Sequence, residues 1–345
     1  MKGIKRIICA AGAAAVFLFS PYSSAFAEEA VPDFNVAVHA PPQVLFIGDS
    51  VISGYGLDGY SPDNKLVCDS FANILSREFE SELPAQAEFR YYNEGLDGRT
   101  SGELLELLRS GAIDDELKDT DAMIVSIGGN DMLMIFLGIF FGNNTTMEKA
   151  RKILSLDSDF DKALDGFEVN MPLIAEEFHK RSDGQLFVQT LFNPTEATSM
   201  PLINKFTDEK IGRLNSIIYA NSQNGSNYKV VDVYSELKGK SHELTNIDKK
   251  DIHPNAEGHK TIAALLDKAI RAETYHYYDY EAEQRYKEKL EQDRLKAIEL
   301  QKEQEEAEIA RKEKNKKVGA AAAAGSAAAI AGGVLLIRRG KRRNG

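Results

Sequence analysis

The chain has 345 residues, 43% hydrophobic and 28% charged, enough apolar material for a full core and incompatible with global disorder. A formal net charge of -11 argues against a nucleic-acid surface, so no nucleic-acid partner is expected. The cysteines are Cys9 and Cys68, too few for a disulfide framework or a cysteine zinc site.

Lys2, Lys5 and Arg6 precede an apolar run from Ile7 to Phe19, and Ala25-Phe26-Ala27 is a small-x-small cleavage site. Residues 1–27 therefore read as a secretory signal peptide, which carries Cys9 away when removed. Residues 28–41 read as a loose lead-in. Gln43 to Ile47 is short, β-branched and aromatic, the pattern of a buried strand, and Gly48 closes it. Asp49 and Ser50 then fall at the strand's C-terminal edge, where open α/β sheets bind ligands.

Ser70 to Phe79 has helical spacing, with Phe71, Ile74, Leu75 and Phe79 on one face. A second strand, Glu88 to Asn93, leads through Glu94 to Ser101 into a helix at Gly102–Arg109. A third, Asp121 to Ile127, ends in Gly128-Gly129-Asn130-Asp131. Met132 to Phe141 is almost wholly apolar, either a core helix or the wall of a pocket beside Asn130. Phe160–Arg181 reads as a helix, Gln185–Leu191 as a strand, Asp208–Ala220 as a helix and Tyr228–Tyr234 as a strand. Asp251-Ile252-His253-Pro254-Asn255 precedes a last helix at Ala256–Ala272. Strands alternating with helices predict a parallel sheet covered on both faces.

Residues 273–317 form a charged segment; from Tyr280 it holds many opposite charges three or four apart and no heptad. It reads as a solvated helical stalk of about 55 Å. Residues 318–337 carry no charge and have the length of a single transmembrane segment, and the basic tail 338–345 fits a cytoplasmic side. No Leu-Pro-x-Thr-Gly precedes that segment, so an anchor is favoured over a sorting signal. The expected location is the cell surface, with the membrane as a partner.

The polar groups at these strand ends are complementary. Ser50 could attack, His253 could take its proton, and the Gly98 N–H and Asn130 amide could face a developing oxyanion. Together the four stretches around Gly48-Asp49-Ser50, Asn93 to Ser101, Gly128 to Asp131 and Asp251 to Asn255 resemble the four blocks of the GDSL/SGNH hydrolases. The resemblance covers residues 42–272 and implies a three-layer α/β/α, flavodoxin-like fold. It also implies a serine esterase, lipase or carbohydrate deacetylase, with Ser50 as nucleophile and His253 as base. The oxyanion hole would be the Ser50 and Gly98 N–H groups with the Asn130 side chain. No metal or cofactor is implied.

One position departs from the family pattern. The family's Asp-x-x-His would put the acid at position 250, which is Lys250. Asp251, Asp248 or a backbone carbonyl could orient His253 instead, and Asp251 is the favoured choice. Two other functions compete. A metallophosphoesterase would use Asp49, Asn130, His253 and His259 as ligands, but more His and Asp pairs are needed than the chain supplies. A non-catalytic glycan- or ligand-binding module would explain the displaced acid. The substrate class reads only as a small-molecule or glycan ester.

Overall fold

The computed structural model describes residues 30–140, 146–196 and 201–340, so the expected signal peptide and the last five residues of the basic tail lie outside it. In chain order, β1 (Asn35–Val38) and β2 (Gln43–Gly48) are followed by α1 (Ser50–Ser53) and α2 (Phe71–Glu82). β3 (Arg90–Gly95), α3 (Ser101–Ser110) and α4 (Asp114–Lys118) lead to β4 (Ala122–Ser126). α5 (Gly129–Phe140) and α6 (Thr146–His179) precede β5 (Gln185–Gln189), and α7 (Pro201–Gln223) precedes β6 (Lys229–Val231). Then come α8 (Val233–Leu237), α9 (Ser241–Leu244), α10 (Ala256–Ile270), β7 (Tyr275–Tyr278) and α11 (Tyr280–Gly340).

Five strands pair in the order β3-β2-β4-β5-β6, all parallel. Side chains alternate across this sheet, as a two-residue period requires. Leu45, Ile47, Met123, Val125, Leu186 and Val188 enter one core, packed by α3, α6 and α7. Val44, Phe46, Ala122, Ile124 and Phe187 enter the other, packed by α2 and α10. Phe46 meets Phe71 and Tyr91 edge-on at 5.9 and 5.8 Å, and burying one such ring is worth roughly 1.5–3 kcal/mol. The strand order reverses between β2 and β4, which creates a crevice at their C-terminal ends.

Several elements differ from the sequence expectation. α6 begins at Thr146 and α7 at Pro201, both earlier than their apolar periodicity suggests; Pro201 suits a first helical position because its missing N–H costs nothing there. Tyr228–Tyr234 pairs only over Lys229–Val231. Asp232 ends the strand by accepting the Ser235 N–H at 3.0 Å and capping α8. The lead-in contains β1, which pairs antiparallel with β7. Met132 is buried and Ile135 packs on the same core, so the start of α5 serves the core.

The stalk and the apolar stretch that follows it belong to one helix, α11. Among the described residues no helix is long and apolar enough to cross a membrane, so the expected single span at 318–337 gains no support from the structure. That stretch is mostly alanine and glycine, whose small or absent side chains add little apolar surface. α11 leaves from β7, whose partner β1 enters at the N-terminal edge of the sheet. Ser50 stands at the C-terminal edge.

Candidate active site

The β2–α1 junction is built for close approach. A Cβ on Gly48 would sit 2.0 Å from the Ser126 carbonyl oxygen, so only glycine lets β2 run flush against β4 here. The Asp49 N–H donates to that same carbonyl at 3.1 Å. Asp49 then caps α1, its carboxylate accepting the Val51 N–H at 3.0 Å. Ser50 follows as the first helical residue, 7% exposed.

From the loop before α10, His253 reaches Ser50 with Nε2 2.8 Å from Oγ. Its other nitrogen, Nδ1, lies 2.5 Å from Asp251 Oδ1, and the same oxygen accepts the His253 backbone N–H at 3.1 Å. A carboxylate facing Nδ1 keeps the ring proton on that nitrogen, which leaves Nε2 free to accept from the Ser50 hydroxyl. Burial pushes Asp251 up, but the hydrogen bond and charge of His253 outweigh it and hold the carboxyl below its ordinary value. Asp248 is turned elsewhere, 2.7 Å from Nδ1 of the exposed His242. The loop is pinched shut by a bridge between Thr245 and Pro254, and Asn255 caps α10 through the Gly258 N–H at 3.0 Å.

The loops after β3 and β4 complete the edge. Gly98 has φ +81 and open space over its Cα. Asn130, buried in the first turn of α5, donates from Nδ2 to the Arg99 carbonyl at 3.1 Å and retains a second N–H. Among the described residues no acceptor meets the backbone N–H of Ser50 or of Gly98. The two amides and Asn130 thus follow three neighbouring strands at one edge.

A supporting layer holds these loops, and much of it has no signature in the sequence. Asp97, beside Gly98, accepts the Ser53 hydroxyl at 2.6 Å and the Tyr60 hydroxyl. Burial and that bond push Tyr60 up to about 12. Arg99 donates to the carbonyls of Gly48 and Glu94, tying the β3 loop to β2. Asp131 accepts the Ser101 N–H at 2.9 Å and its hydroxyl at 2.5 Å, fixing α3 against α5. Burial raises Asp131 against the pull of Ser101, and it lifts the fully enclosed Asp49 to about 7. His259 lies deep in α10, accepts the Phe71 N–H at 3.2 Å and stacks on the Phe71 ring. Asp49, Asn130, His253 and His259 therefore serve four different partners. Among the described residues no group of three His, Cys, Asp or Glu side chains could hold a metal ion.

The structure brings Ser50, His253 and Asp251 into one hydrogen-bonded line. It sets Gly98 and Asn130 on adjacent loops, linked through Arg99. A model of the GDSL-like Lipase/Acylhydrolase family matches residues 46–261, which holds every residue of this arrangement. The chain belongs to that family. It is a serine ester hydrolase of the GDSL/SGNH type. It is similar to the uncharacterized protein YpmR of Bacillus subtilis, 25% identical over 233 residues, or 67% of this chain and 82% of that one. It is also similar to the spore germination lipase LipC of Bacillus licheniformis, 24% identical over 225 residues, or 65% of this chain and 94% of that one. A phospholipase A1 from Streptomyces albidoflavus shares the fold at 14% identity with a TM-score of 0.51, over 66% of this chain and 99% of that one.

Proposed function

We propose that this GDSL-family hydrolase cleaves carboxylic esters through a Ser50–His253–Asp251 triad and an acyl-enzyme. The observation that carries the reading is the continuous line from Asp251 Oδ1 through both imidazole nitrogens to Ser50 Oγ. Ser50 Oγ attacks the carbonyl carbon as its proton passes to His253 Nε2. The carbonyl oxygen, now an oxyanion, accepts from the Ser50 and Gly98 N–H groups and the second Asn130 N–H. The tetrahedral centre collapses, the C–O bond to the alcohol breaks, and His253 returns the proton to the departing alkoxide. Water then attacks the acyl-enzyme, gives its proton to His253, and releases the acid while Ser50 recovers its own. Asp251 holds the imidazole in the required tautomer and steadies its positive charge. Every proton has a carrier among these residues, so the cycle calls for no cofactor.

The lipase name of the Bacillus licheniformis relative makes acyl esters the first class to assay and acetylated glycans the second. We propose export from the leader pattern in residues 1–27, and tethering from the uncharged stretch 318–337 before the basic tail.

The test is hydrolysis of p-nitrophenyl acetate and longer p-nitrophenyl esters by the full chain, with and without chelator, beside Ser50→Ala. Turnover that ignores chelator and disappears in Ser50→Ala is expected. A parent that binds acetylated glycan but turns over neither it nor any ester would contradict the reading and favour a binding module.

A further inference from the structure

The His253–Asp251 arm leans on a strap from a distant part of the chain. Tyr55 follows Gly54, the left-handed cap of α1, and its N–H donates to the Ser50 carbonyl at 3.0 Å. The strap is therefore fastened to the backbone of Ser50 itself. The Tyr55 ring lies against the imidazole of His253, with centroids 4.7 Å apart and planes at 46°. Its centroid is also 5.5 Å from that of Tyr60, whose hydroxyl bonds Asp97 beside Gly98. The next residue, Gly56, backs the carboxylate. A Cβ there would stand 2.6 Å from Asp251 Oδ2, and φ is +85. Asn246 ties strap to loop. Its Nδ2 donates to the Gly56 carbonyl at 3.4 Å, its N–H donates to the His253 carbonyl at 2.9 Å, and its carbonyl accepts the Asp251 N–H at 3.2 Å.

We propose that Tyr55 is a positioning residue, whose ring holds the imidazole of His253 in line between Ser50 and Asp251. The proposal rests on the triad reading and explains how that triad works with its acid only two residues before the histidine. With acid and base in one tight turn, a single carboxylate oxygen serves both the ring and the backbone N–H of His253. That turn leaves the imidazole to be steadied from outside, and the Tyr55 ring packs against it. Among the described residues the Tyr55 hydroxyl has no hydrogen-bond partner, so the ring supplies the contact. An aromatic ring at this distance also favours the positive charge that His253 carries between the two proton transfers.

The experiment measures kcat and KM of the full chain on p-nitrophenyl acetate. Tyr55→Ala should lower kcat about tenfold and leave KM within about twofold, because alignment and not substrate affinity is lost. Tyr55→Phe should recover kcat to within about twofold of the parent, while Tyr55→Leu, which fills space without a flat face, should not. In an Asp251→Asn background the line is already broken, so adding Tyr55→Ala should cost less than about twofold. An unchanged kcat in Tyr55→Ala would overturn the proposal. So would a change confined to KM, or the same loss in both backgrounds, which would mark a substrate contact or a general structural role. Ser50→Ala with undiminished turnover would instead remove the triad itself, a separate signature.

Discussion

The C-terminal edge of the sheet and helix α11 are held together in opposite ways. At the edge, His253 meets Ser50 across 203 positions, and Asn246 meets Gly56 across 190. Along α11 the ion pairs are local: Arg285 with Glu281, Lys287 with Glu283 and Lys312 with Glu308 lie four residues apart, and Arg294 with Glu291 and Lys296 with Asp293 three apart. From Glu288 to Gly325 every residue of that helix is exposed. The edge depends on the whole fold and carries chemistry. The helix depends on its own sequence and sets reach. A substitution at the edge should thus remove function, whereas one in the helix should leave it intact.

That contrast orders the expected effects. Asp251→Ala leaves His253 without its carboxylate, and kcat should fall roughly 10²- to 10⁴-fold in steady-state ester hydrolysis. A loss under about threefold would transfer the orienting role to another group. Asn130→Ala removes one donor to the oxyanion and should cost about 10²-fold in kcat. Equal loss in KM and none in kcat would mean that Asn130 binds ground-state substrate instead.

Two buried groups test the electrostatics of the edge through stability. Burial lifts Asp49 from 3.8 to about 7, so the folded state keeps a proton that the unfolded state releases. Its contribution is full below about pH 4 and is lost as pH rises to about 7. Asp49→Asn keeps a capping oxygen but cannot ionise. Denaturant titrations should therefore show the variant gaining on the parent between pH 4 and pH 8, and a flat difference would contradict the buried neutral carboxyl. His259 has the opposite sign: burial lowers it from 6.5 to about 3, so its contribution is present above pH 6.5 and fades as pH falls toward 3. The smallest effect belongs to α11. Glu283→Gln with Lys287→Gln breaks a local pair and should leave kcat and KM unchanged; a substantial loss would show that the helix reaches the site.

Legibility in the sequence followed the same division. β2, β4 and β5 were readable because each is a short apolar run that must be buried on both faces. Ser50, Gly98 and Asn130 were readable because polar and glycine residues directly follow such runs or sit in the turns after them. The charged part of α11, up to residue 317, was readable as a helix from charge spacing, whereas its continuation through 318–340 in the same helix was not. The β1–β7 pair was not, because two four-residue strands with weak alternation find each other only in the folded chain. Asp97, Arg99, Tyr55 and Asn246 were also missed. Nothing in their local sequence marks them, and each has a partner distant in the chain: Ser53 for Asp97, Gly48 for Arg99, His253 for Tyr55 and Gly56 for Asn246. Asp232 shows a local competition instead, where a capping side chain ends a strand that β-propensity alone would continue.

The most direct measurement is the site of covalent capture. The full chain is incubated with an organophosphonate fluoride, which forms a stable bond to an activated serine oxygen as fluoride leaves. Intact mass and peptide mapping then locate the adduct. One adduct on Ser50, lost in His253→Ala and slowed in Asp251→Ala, is the predicted result. An ester-hydrolysing protein that takes no label, or takes it at another residue, would contradict the Ser50–His253–Asp251 account.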